Sequence, residues 1–311
     1  MRPHDRPLAR SIEQRLRAFN RRIRLPGISD KANMDCLVEQ LVDSTRRIRY
    51  ILLIRDQDVS QININTSSNL FDPLKGAVWH KRRRNFNEAF WLVFLATHFG
   101  KNKKTGWNLT RIVYGGGRGI AYWTWDRVND DPEKFLEWLH RNQDYLKENG
   151  KFGNHRKYES CNAYNQRGTG SAVISYLNWI GQGNDHNAMI EEVQENLDHN
   201  PRSVFHHLYN SMDRVNTFGR TAKFDYLTMI GKLGLADIEP GFTYLSGATG
   251  PLRGARLLFG NSTSANITAK QLEARLHDLE ESLGLYYGMQ VLEDALCNWQ
   301  KRPDRFEHFS G

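Results

Sequence analysis

Three cysteines in 311 residues, Cys36, Cys161 and Cys297, stand far apart and form no CxxC pair. A disulfide framework and a zinc ribbon are therefore excluded, and a reducing cytoplasm is the expected location. The eleven histidines contain no HExxH or HxxxH pattern, so neither a metal nor a cofactor is expected. No apolar run reaches membrane length. The longest, AFWLVFLA from Ala89 to Ala96, suits a buried helix. The GxxxxGK[ST] spacing of a phosphate-binding P-loop is absent. Strand signals are scarce: only RYILLIRD (Arg49 to Asp56) and QININ (Gln61 to Asn65) read as strands. The first reads equally well as the tail of a helix that starts near Asp30.

What is present is positive charge and helical period. The net charge is +8, which favours a polyanionic partner, nucleic acid or an anionic membrane. The arginine-rich N-terminus lacks the apolar core of a secretory signal. Its Ser11-x-x-Gln14 capping pattern and the spacing Ile12, Leu16, Phe19, Ile23 predict an amphipathic helix with a basic face. Asn85-x-x-Glu88 reads as a capping box that opens the apolar helix, with Gly100 as its stop. Asp131-Pro132 starts another helix that runs to Gly150, and Thr268-x-x-Gln271 starts the last long one. Gly284 and Gly288 weaken the continuation of that last helix to Trp299. The expected fold is mainly α. Residues 1–64 read as a basic helical segment with a short hairpin, and residues 65–311 as a helical domain. The polar segment near 150–170 is a candidate boundary between two lobes.

Four stretches concentrate cations beside glycine or aromatic residues. HKRRRN holds Arg82, Arg83 and Arg84 just before a helix start, where guanidinium forks suit phosphate oxygens. VYGGGRGIAYWTW sets glycines around Arg118, with Tyr122 and Trp123 as surfaces for an unpaired base. Its glycines miss the dinucleotide spacing at Ile120. A third stretch, from Asn149 to Ser171, interleaves basic and aromatic side chains. The fourth runs from Val215 to Gly260 and contains two glycine turns that enter helices. Such turns present free backbone N–H groups to an anion. Gly219 and Arg220 mark the first turn. Gly247, Gly250, Arg253 and Arg256 mark the second, with the two arginines three residues apart.

FDPLKGAVWHKRRRNFNEAFWLVFLATHFGK, FGRTAKFDYLTMIGKLGL and YLSGATGPLRGARLLF together resemble the α-glutamyl/putrescinyl thymine pyrophosphorylase group, over roughly residues 65 to 260. The resemblance implies the helical, helix–hairpin–helix architecture of DNA glycosylases. It also implies work on hypermodified thymine in phage DNA, or removal of such bases by antiphage relatives. In that architecture a G-x-G hairpin holds a DNA phosphate, and Gly219 corresponds to its second glycine. Thr217 stands where the first glycine belongs. The resemblance places a catalytic aspartate about twenty residues on, near Asp237, with Asp225 as the competitor. Lys223 is a candidate amine for a covalent intermediate, although a plain surface lysine is the simpler expectation. Tyr226, with Tyr122 and Trp123, is a candidate to hold an extruded base. The expected activity is excision of a modified base. Transfer onto a pyrophosphorylated hydroxymethyluracil and plain binding of modified DNA are the alternatives.

Overall fold

The computed structural model describes residues 2–117, 122–181 and 183–308. Among these are fifteen α-helices and no strand, so the fold is mainly α. Two isolated bridges, Asn102 to Gly106 and Ser160 to Gly168, are the only ladder pairings among the described residues. The chain divides into two compact units. Residues up to Tyr50 join those from Pro240 on in a terminal unit, and Ile51–Glu239 form a middle unit.

The terminal unit opens with α1 (Arg6–Arg22) and α2 (Lys31–Asp56), whose last turns belong to the middle unit. The middle unit continues with α3 (Pro73–Arg82), α4 (Phe86–Phe99), α5 (Asn108–Tyr114), α6 (Trp125–Asp130), α7 (Pro132–Arg141) and α8 (Gln143–Asn149). It ends with α9 (Thr169–Ile180), α10 (His186–Asn196), α11 (Pro201–Ser211) and α12 (Arg220–Lys232). α13 (Gly250–Gly260), α14 (Ala269–Leu283) and α15 (Gly288–Trp299) complete the terminal unit.

The two strand readings give way to helix. Arg49–Asp56 is the end of α2, because Leu41, Ile48, Ile51 and Ile54 repeat at three to seven residues and all are buried. Gln61–Asn63 is a 3₁₀ turn capped by Ser60, with no neighbouring strand to pair it. The short hairpin expected there is therefore absent. Thr268 and Gln271 do form a reciprocal capping box. Gly284, at φ +53°, ends α14, and α15 is a separate helix. The helix that starts at Pro132 stops at Arg141, and α8 completes the run to Gly150.

α4 is the axis of the middle unit. Phe90, Trp91, Leu92, Val93, Phe94 and Leu95 are all fully buried, as the apolar run predicts. α3, α10 and α12 pack around it. Each such side chain contributes about 1.5–3 kcal/mol through burial, and Phe94 also stacks on Tyr176 and Phe218. In the terminal unit, Ile12, Leu16 and Phe19 bury the apolar face of α1, which packs against α14.

Candidate functional site

An apolar helix with one acid near its start poses a problem, because a buried carboxylate needs partners. Glu88 of α4 is that acid. Asn85 accepts a hydrogen bond from the Glu88 backbone N–H, but the Glu88 side chain does not return to complete the capping box. Its carboxylate turns inward instead. Tyr114 Oη lies 2.6 Å from Oε1, and the Trp125 backbone N–H donates to Oε2 at 2.8 Å. Burial raises the Glu88 pKa to about 7, outweighing these two bonds, which act the other way. Burial and the adjacent carboxylate hold the Tyr114 phenol well above its ordinary range.

Tyr114 is also a wall of a cavity of about 610 Å³, within the range of small-molecule pockets. Ile62, Ile64 and Asn65 line it on one side, and His80 of α3, Tyr122 and Thr124 on the other. Arg111 holds the Thr66 carbonyl at 3.1 Å and so fixes the turn that carries Asn65. Tyr122 meets Tyr114 edge-on at 5.4 Å and keeps 39% of its surface exposed. His80 Nε2 is buried with no hydrogen-bond partner among the described residues. Burial, with Arg83 nearby, lowers the His80 pKa to about 4, so the ring is neutral near pH 7. The pocket thus offers two phenols and a neutral imidazole, with a carboxylate one hydrogen bond behind one phenol.

A second feature of the middle unit is the connection from α11 to α12. Thr217 adopts φ +66°, the left-handed conformation that glycine takes at low cost. Arg156 compensates. Its guanidinium donates to the Thr217 carbonyl at 2.9 Å, to the Thr217 hydroxyl at 3.1 Å and to the His98 carbonyl at 3.0 Å. Gly219 then precedes α12 without a side-chain cap, and a Cβ there would meet nothing within 4 Å. The first N–H groups of α12 thus have no side-chain cap, and Gly219 itself is exposed. Lys223 corrects the surface expectation: it is buried, its ammonium is ion-paired to Asp213, and it lies 4.1 Å from the Tyr209 ring. After α12, Lys81 donates to the Leu233 carbonyl at 3.0 Å and Arg202 binds Glu239 at 2.8 Å. The loop between them carries Asp237, which is exposed. Asp225 is exposed on α12 itself.

The other expected residues scatter. Arg82 pairs with Asp58, Arg83 stacks on Trp79 at 3.7 Å, and Arg84 is exposed at φ +61°. Arg118 lies outside the described residues. Trp123 and Tyr226 are buried in the core and offer no face to a base, which leaves Tyr122 for stacking. Tyr226 instead shares a hydrogen bond of 2.8 Å with Tyr176. Gly247, Gly250, Arg253 and Arg256 belong to the terminal unit. Gly247 turns at φ +75°, Arg253 is exposed, and Arg256 donates to the Ile267 carbonyl at 3.3 Å. Gly254 lies between those arginines, and a Cβ there would be 2.3 Å from the Leu296 carbonyl oxygen. Close packing of α13 on α15 accounts for that glycine.

The family model for α-glutamyl/putrescinyl thymine pyrophosphorylase clade 3 matches residues 32–311. The chain belongs to this family. The match extends well beyond the 65–260 span of the three resembling blocks, and it leaves α1 outside. No curated protein and no solved structure matches the chain. The family's name concerns enzymes of thymine modification, and the pocket and the α11–α12 connection both fall within the matched span. Glu88, Tyr114 and His80 were not singled out from sequence as site residues. The legible signal was Glu88, a lone acid at the head of AFWLVFLA.

Proposed function

We propose that this thymine pyrophosphorylase relative acts on a modified thymine base in DNA. It excises the base by hydrolysis of the N-glycosidic bond and leaves an abasic site, in defence against phages that carry such bases. The observation that carries this reading is the pocket, whose aromatic wall includes a phenol backed by a carboxylate poised near neutrality. The extruded base lies against Tyr122. The α12 start, with Gly219 and Arg220, holds a phosphate, and Arg83 and Arg84, which follow the pocket residue His80 in the chain, add positive charge. Asp237 accepts a proton from water as its oxygen bonds to C1′ of the sugar. The C1′–N1 bond breaks, and the base leaves with the bonding electron pair. Asp237 is preferred to Asp225 because its loop is fastened at both ends. Lys223 has no part in covalent chemistry, since its ammonium is committed to Asp213.

Tyr114 receives the departing base. With Glu88 protonated, the carboxyl O–H donates to Tyr114 Oη and the phenol proton points into the pocket. There it hydrogen-bonds a base carbonyl as negative charge develops. With Glu88 ionised, the phenol proton turns to the carboxylate and the pocket loses its donor. Glu88 is thus a positioning residue that acts through Tyr114.

The family's name supplies a second reading, in which pyrophosphate leaves a hydroxymethyluracil and an amine takes its place. Arg253 and Arg256 would suit that leaving group. One experiment separates the two. Purified protein is incubated with phage DNA that carries modified thymine or pyrophosphorylated hydroxymethyluracil, with glutamate or putrescine supplied as the amine, followed by abasic-site detection and nucleoside mass spectrometry. Alkali-labile sites and a released base are expected, and both should vanish in Asp237→Asn. Intact strands with a heavier thymidine would replace excision with transfer. Intact strands with no mass change would remove both enzymatic readings in favour of a DNA-binding module.

A further inference from the structure

α1 lies outside the span shared with the family, and its sequence is unusually one-sided. It carries six arginines and a single acid, Glu13. At about 100° per residue, Arg6, Arg10, Arg17 and Arg21 fall within a sector of roughly 60°. All four are exposed. The stripe they form runs about 22 Å along the helix, at 1.5 Å per residue. Arg10, Gln14, Arg17 and Arg21, with Glu13, also border one shallow groove of about 350 Å³. Arg17 pairs with Glu13 at 2.7 Å, whereas Arg10 and Arg21 have no ion-pair partner among the described residues. The packing of α1 does not need this face. Ile12, Leu16 and Phe19 already bury the opposite side, and Arg15 ties the helix to the Leu283 carbonyl.

A row of guanidinium groups on a rigid helix calls for a repeating anion. We infer that the α1 stripe is a docking surface for the phosphate backbone of duplex DNA, distinct from the pocket. Duplex DNA presents one charge per about 1.7 Å of axis, so a stripe of this length meets several phosphates at once. An anionic membrane fits less well. A membrane-surface helix inserts its apolar face, and here that face is buried in the protein core. The inference does not depend on the chemistry assigned to the pocket.

The test compares the full chain with the variant Arg10→Gln, Arg17→Gln, Arg21→Gln on an unmodified synthetic duplex, between about 50 and 200 mM salt. The slope of log affinity against log salt should become shallower by about 2 to 3, with affinity reduced about tenfold or more at the lower salt. The matching triple lysine variant should restore the slope, since phosphate contacts of this kind read charge. Equal thermal midpoints in the three proteins would show that the exposed substitutions leave the fold intact. An unchanged slope in the glutamine variant overturns the inference. So does wild-type protein that binds phosphatidylglycerol vesicles through these arginines and ignores the duplex. Changed slopes without any base chemistry would retain the stripe and remove the excision reading.

Discussion

Glu88 reconciles two demands that conflict at the level of a single residue. Its backbone N–H helps to cap α4, while its carboxylate serves Tyr114 and Trp125 inside the unit. The group titrates near 7 instead of at its ordinary 4.5, so the folded state holds a proton that the unfolded chain has released. Stability contributed by neutral Glu88 is full below about 4.5 and declines as pH rises through 7. The total is on the order of 3 kcal/mol across that window. Glu88→Gln should remove this decline, which denaturant titrations at pH 5 and pH 8 would reveal. The same variant tests the site. Excision by the wild type should fall as pH rises through about 7, because the Tyr114 donor is lost as Glu88 ionises. In Glu88→Gln the amide accepts from Trp125 and donates to Tyr114, so activity should persist and that alkaline limb should disappear. Tyr114→Phe should lose about 10²–10³ in rate at every pH, as removal of one oxyanion donor does. An unaltered pH profile in Glu88→Gln would end the role given to this pair.

At the scale of elements, glycine in this chain serves two purposes that look alike in sequence. Gly219 sits in open space before α12, where no side chain caps the helix start and a methyl group would meet nothing. Gly254 sits against the Leu296 carbonyl, where an absent side chain lets two helices touch. Gly254→Ala should therefore cost about 1–3 kcal/mol, since backbone atoms must shift to admit a methyl group. Gly219→Ala should cost little stability. Chemical denaturation of both variants checks the pair of expectations, and equal losses would contradict the contrast. The α11–α12 connection makes a related point. A threonine holds the left-handed position where the resemblance led us to expect glycine, and Arg156 secures it from a distant loop. Basic and aromatic interleaving drew attention to the Arg156 region, and within it Arg156 is buried and braces the turn, while Tyr158 and Tyr164 are exposed.

At the scale of the whole molecule, the ends of the chain fold together. Residues up to Tyr50 and those from Pro240 on share one unit, so the last three helices depend on the first. Removing residues 1–30 would strip Ile12, Leu16 and Phe19 from α14. Three such side chains contribute several kcal/mol together, comparable to the stability of a whole domain. The truncated protein should lose cooperative unfolding of the terminal unit, seen as a missing transition or as aggregation in thermal melts. A melt indistinguishable from that of the full chain would refute the dependence. The span 32–311 shared with the family thus omits a helix that this chain uses for its core, and whose outer face we assign to DNA.

Sequence alone determined that this chain is helical. The buried run at Ala89–Ala96, the Thr268–Gln271 box and the basic face of the first helix are all local patterns, and local patterns carry helical period and caps. The family was legible for the same reason, in three ordered blocks. Tertiary structure decided which polar groups meet. Glu88, Tyr114 and Trp125 lie up to 37 residues apart, and no spacing rule joins them. It also moved Trp123 and Tyr226 into the core, because an aromatic run does not reveal which ring faces inward. Burial is a property of three dimensions, and burial gives Glu88 its proton near neutral pH.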